Sequence, residues 1–183
     1  MAYTSAQIVQ AVPTGINSAL VLISSTAFTT VASVSLPANT FSATYANYLV
    51  YIEITSASAA QTITGRYRAA GTDSSTGIYQ NMFTRVTNVN TTSIIGTNQQ
   101  TSYSLGGTAT TQPFGGFIQI NNPQTAINST IILQLNVVNS GTSQDSLTGN
   151  GVYGDTTSFD SFSFIASTGT ITGTVRAYGY ANS

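Results

Sequence analysis

Apolar residues return at every second position along most of this chain, the period of extended strands whose side chains point alternately to opposite faces. The clearest run is Tyr48 to Thr55, where Tyr48, Val50, Ile52 and Ile54 share one face and Leu49, Tyr51, Glu53 and Thr55 the other. From Gln61 to Ala69 the faces separate in the same way, with Ile63, Gly65, Tyr67 and Ala69 opposite Thr62, Thr64, Arg66 and Arg68. Ile78 to Asn88 sets Tyr79 and Phe83 opposite Met82 and Val86, and Thr130 to Asn139 turns Ile131, Leu133, Leu135 and Val137 inward. Phe117 to Asn121, Phe159 to Ala166 and Thr170 to Tyr180 alternate again. Ala19 to Ile23 is continuously apolar and reads as a fully buried strand, whereas Ile94-Ile95 and Ser102 to Leu105 are weak β segments.

No stretch of a dozen residues carries a capped apolar stripe of helical period. About eight to eleven short strands, with turn signals every ~8–12 residues, argue for an all-β sandwich or barrel. A jelly-roll-like β-sandwich fits a chain of 183 residues and 19.0 kDa best. The reading is one sandwich domain over residues 18–183, preceded by an extended N-terminal arm, residues 1–17, that Gln7, Gln10, Pro13 and Gly15 interrupt. One echo, Gly65-Arg66-Tyr67-Arg68-Ala69-Ala70-Gly71 and Gly173-Thr174-Val175-Arg176-Ala177-Tyr178-Gly179, reflects two strands in similar settings rather than a repeat architecture.

Charge is scarce. Only 5% of residues are charged, against about 25% in an average domain. Hydrophobic residues nevertheless make up 41%, and the net charge is only −1, the opposite of the signature of disorder. With no histidine, cysteine or lysine, a disulfide, a thiolate nucleophile, a Cys/His zinc site, a serine–histidine triad and a lysine Schiff base are all excluded. Four arginines nearly balanced by acids make no basic footprint for nucleic acid. The first residues lack the basic region of a secretory signal, and the longest apolar run there is far short of the ~20 residues that a spanning helix needs. Neither nucleic acid nor membrane insertion is expected.

The remaining chemistry is thin. Asp155 and Asp160, with Asp145 nearby, are the only candidates for a pair of catalytic carboxylates or a calcium site, and surface turn residues are the better reading. Asn150 to Asp155 lacks the alternating acids of a calcium loop, and Gly106-Gly107 and Gly115-Gly116 lack the residues of a phosphate loop. Tyr79, Tyr103, Tyr153 and Tyr178 could stack on sugars, although each reads better as a core or interface residue. The arginines should meet a carboxylate such as Glu53, or carbonyls at a subunit boundary. No catalytic, cofactor-binding or metal-binding residue is assigned, and no cofactor is expected.

Open sheet edges are normally blocked by lysine, proline or inward charge. This chain has no lysine and four prolines, so its edges are expected to be covered by its own loops or by neighbouring subunits.

Two stretches carry a resemblance: Phe41-Ser42-Ala43-Thr44-Tyr45-Ala46-Asn47-Tyr48 with Arg66 to Asp73, and Ser158 to Phe164 with Thr172 to Tyr180. The chain there resembles the short β-sandwich virion proteins and tail-fibre modules of tailed bacteriophages, notably those of aquatic and cyanobacterial hosts. The resemblance implies a non-enzymatic structural protein, often a homotrimer, displayed on the capsid or tail of the virion, and transfers no catalytic residue. A chain that starts at Met1 and is almost all one domain favours a stand-alone capsid decoration (cement) or tail component contacting other phage structural proteins. The alternative is a receptor-binding tail-fibre module that recognises host surface glycans. A cellular carbohydrate-binding module is disfavoured by the missing tryptophan and signal sequence.

Overall fold

Strands alone build the described part of the protein, as the alternation requires. The computed structural model describes residues 20–89, 91–108, 113–139 and 143–181, so the arm expected at residues 1–17 lies outside the described residues. In chain order the strands are β1 (Leu20–Val31), β2 (Ser33–Ser35), β3 (Asn47–Ala57), β4 (Gln61–Ala69), β5 (Thr72–Asp73), β6 (Tyr79–Val86) and β7 (Thr92–Gln100). They continue with β8 (Tyr103–Thr108), β9 (Phe114–Asn121), β10 (Ser129–Asn139), β11 (Ser143–Tyr153), β12 (Ser161–Ala166) and β13 (Ile171–Tyr180). All pairings are antiparallel.

Two sheets result. The larger has eight strands in the order β1-β13-β3-β9-β10-β11-β6-β7. The smaller runs β2-β12-β4-β5, with β8 also paired to β4. The sheets pack face to face as a β-sandwich around one continuous core. From the large sheet come Tyr48, Val50, Ile52, Ile54, Ile131, Leu133 and Leu135; from the small one come Ile63, Leu105, Phe162 and Phe164. The strand faces expected for β3, β4, β6 and β10 are those observed. Where the chain passes from one sheet to the other, its crossings brace one another. Ser58 N–H donates to Thr170 O at 2.9 Å, and Ala166 N–H to Ala32 O at 3.0 Å.

Three expectations need correction. Ala19 to Ile23 is not a buried strand: its described part opens β1, an edge of the large sheet, with Val21 and Leu22 exposed. Only one flank of an edge strand is paired, and two register irregularities, after Leu22 and after Phe28, twist this one. Second, Ser143 to Tyr153, unassigned by the alternation, is an eleven-residue interior strand of the large sheet, between β10 and β6. Its glycines hide it. A Cβ on Gly149 would meet Met82 O at 2.3 Å, and one on Gly151 would meet the Tyr103 ring at 2.7 Å, so both are places where a neighbour comes too close for a side chain. Third, the strands outnumber the expectation because the stretch after Asn90 is itself mostly strand.

Candidate functional site

The tyrosines come first, because they were the sequence's candidates for sugar stacking. Tyr79, Tyr103 and Tyr153 are buried in the core and offer no face to a ligand. They surround Tyr67, which stacks on Phe159 with ring centroids 4.7 Å apart and meets Tyr153 edge-on at 5.5 Å. Alternation places all of them inward, and their hydroxyls serve the fold. Tyr79 Oη accepts from Tyr67 N–H and donates to Ser74 O, both at 3.0 Å. Tyr153 Oη pairs with Thr76 Oγ1 at 2.8 Å, tying down the loop that the same strand end faces. The hydroxyls of Tyr67 and Tyr103 lie close to each other, neither at full hydrogen-bond geometry with any group. Burial pushes the Tyr67, Tyr79 and Tyr103 phenols well above the ordinary tyrosine range. Tyr178 alone of the four candidates is half-exposed, on the outward face of the large sheet.

The acids are equally dispersed in role. Asp145 is not a turn residue: it is buried in β11 and pairs with Arg85, Oδ2 to Nε at 2.8 Å. Asp73 pairs with Arg68 at 2.8 Å, and both reach the Ser163 hydroxyl. Asp155 accepts from Thr156 N–H and the Thr157 hydroxyl, and Asp160 Oδ2 from Ala70 N–H. Asp155 is thus occupied within its own loop, and Asp160 with the turn that follows β4. No cluster of three potential metal ligands occurs among the described residues. Glu53, the partner expected for an arginine, takes none: Arg66 donates to Thr101 O, and among the described residues neither the Arg176 nor the Glu53 side chain has a hydrogen-bonded or ionic partner. No helix among the described residues is long and apolar enough to cross a membrane.

What remains is a surface. Residues opposite one another in an antiparallel sheet share a face, so the pairings define rows across the outward side of the large sheet. One row runs Leu22, Tyr178, Leu49, Gln119, Ile132, Asn150 and Met82. The next carries Arg176, Tyr51, Phe117, Gln134 and Thr148. The third carries Thr174, Glu53, Gly115, Asn136 and Ser146. Arg176 and Glu53 are the only charges in these rows. Leu22 and Met82 are each 56% exposed and Ile132 47%. With strands about 4.8 Å apart and outward residues about 7 Å apart along each, the seven positions of the first row cover roughly 240 Å². Large exposed apolar areas on soluble proteins mark contact surfaces.

The pattern was present in the sequence as the non-core half of each strand. Its assembly into one face needed the strand order. Comparison with protein-family models, with curated proteins and with solved structures finds no match to this chain.

Proposed function

We propose that this is a non-enzymatic structural protein of a bacteriophage virion, a capsid decoration or tail component that works by protein–protein contact and associates with copies of itself, as a homotrimer. The observation that carries the reading is the largely apolar row Leu22, Tyr178, Leu49, Ile132 and Met82, interrupted by Gln119 and Asn150 and laid across a face nearly free of charge. An enzyme would need converging reactive groups, and the described aspartates are instead engaged in ion pairs and loop hydrogen bonds, while Glu53, the remaining acid, stands beside no other carboxylate in its row. The jelly-roll reading of the sandwich is supported by strand order. The run β1-β13-β3-β9 lies in one sheet and β2-β12-β4-β8 in the other, the pairing of two interlocked Greek keys; β6, β7, β10 and β11 are insertions that widen the large sheet, and the two-residue β5 adds to the small one.

Sedimentation of the full chain tests it. The wild-type protein is expected to associate, and the double variant Leu22→Lys/Ile132→Lys to weaken association at least about tenfold, by placing like charges in the contact. Both positions are exposed, so thermal melting should be unchanged. A wild-type chain that sediments as a single unit at every concentration and has no affinity for phage particles overturns the reading. Copy number per virion then separates the two positions: many copies for a capsid decoration, few for the tail.

A further inference from the structure

We infer that a trough on the same face, about 14 Å along the strands from the apolar row, binds a neutral saccharide. The trough has a volume of about 370 Å³, within the ~300–1,000 Å³ of small-molecule clefts. Its floor is Gly115-Gly116 of β9. Neither position admits a side chain: a Cβ on Gly115 would meet Ile52 O at 2.7 Å, and one on Gly116, at φ +150°, would meet Gln134 O at 2.2 Å. The missing side chain of Gly115 leaves a gap between the two residues that flank it in register, Glu53 on β3 and Asn136 on β10. Two strand spacings, about 10 Å, separate those two backbones, room for one pyranose ring.

The walls state the ligand's chemistry. Tyr51 supplies an aromatic surface and a hydroxyl, Glu53 two acceptor oxygens, and Asn136 and Gln144 an amide donor and acceptor each. None of these side chains has a hydrogen-bonding partner among the described residues. Mixed donors and acceptors beside an aromatic face match a polyol whose hydroxyls both give and accept, and whose ring C–H groups lie on the tyrosine. Glu53 is the only charged residue of the lining and opposes an anion, while Arg176, opposite Tyr51 in register and outside the lining, offsets that charge against a cation. The site goes beyond the proposed structural role and does not depend on it: Tyr51, Glu53, Gly115 and Asn136 lie in the second and third rows, whereas that role rests on the first.

Titration of the labelled full-length chain with glucose, galactose, N-acetylglucosamine and methyl mannoside, followed by amide NMR, tests the site. At least one of these sugars should shift Gly115, Gly116 and Asn136 with a dissociation constant in the millimolar range. Tyr51→Ala should weaken that binding about tenfold, and Asn136→Ala several-fold. Both positions are exposed, and melting confirms the fold. Sedimentation of the same variants should be unchanged, which separates failure of the site from failure of the oligomer. Absence of shifts with all four sugars overturns the inference, as do shifts that persist in both variants. Shifts with trilysine instead of any sugar would assign the trough to a basic protein segment and overturn it equally.

Discussion

At the scale of single residues, the buried tyrosines set how stability depends on pH. Tyr67, Tyr79 and Tyr103 are held in the neutral form by desolvation, so their folded pKa values lie above the ordinary value near 10. A raised folded pKa means that the unfolded chain loses the proton first. Their contribution is therefore complete below about pH 10 and declines above it, as unfolded tyrosines ionise and folded ones cannot. Three such groups give a slope approaching ~4 kcal/mol per pH unit once the unfolded phenols are fully ionised. Urea melts from neutral to strongly alkaline pH should be flat until about pH 10 and then fall steeply. Absorbance should show these phenols ionising only as the chain unfolds. Gradual ionisation with the fold intact would mean that the cluster is wetter than its burial implies.

At the scale of elements, one strand shows what alternation decides. In β10, Leu133 is fully buried while its neighbour Gln134 points outward to solvent. Leu133→Ala should cost about 2–5 kcal/mol by lost burial and the cavity left behind. Gln134→Ala should stay within about 0.5 kcal/mol of wild type. Leu133→Asp should prevent folding, because it also buries an unpaired charge. Chemical denaturation of the three variants measures all of this; equal destabilisation by the two alanine changes would place the strand in another register. β11 teaches the opposite lesson. Its inward residues, Asp145, Leu147, Gly149 and Gly151, carry no apolar period, because two must be glycine beside close neighbours and one is an acid paired with Arg85.

At the scale of the whole molecule, the order of strands in space departs furthest from their order in the chain. β13, the last strand, lies between β1 and β3 and pairs with both. The large sheet therefore closes only when the C-terminal strand arrives, and long-range pairing of this kind makes folding slow. A chain truncated before Ile171 should lose cooperative melting altogether, since β1 has no other partner among the described residues and the buried Ile171, Val175 and Ala177 are removed with the strand. Retention of a sharp thermal transition by that truncation would show that the rest of the sandwich holds its own core. The large sheet's edges, which the lack of lysine leaves to be covered by loops or neighbouring subunits, are β7 and β1, and the outer flank of β1 meets no other described strand. Its irregularities after Leu22 and Phe28, with Thr30 held at φ +52°, spoil the flat template that a foreign strand would need.

Sequence alone determined the strand period, the inward and outward sets of β3, β4, β6 and β10, and the exclusion of most covalent chemistry, because these follow from the local identity of residues and from residue types that are missing altogether. Only the tertiary structure decided the rest. It made β1 an edge and β11 an interior strand, enclosed Tyr79, Tyr103 and Tyr153, and gave Arg68 and Arg85 to Asp73 and Asp145 rather than to Glu53. It also joined the outward residues of strands distant in the chain into one face with an apolar row and a glycine-floored trough. The physical reason is that period 2 says which way a side chain points, whereas which strand lies beside it is settled by how two sheets bury a common core.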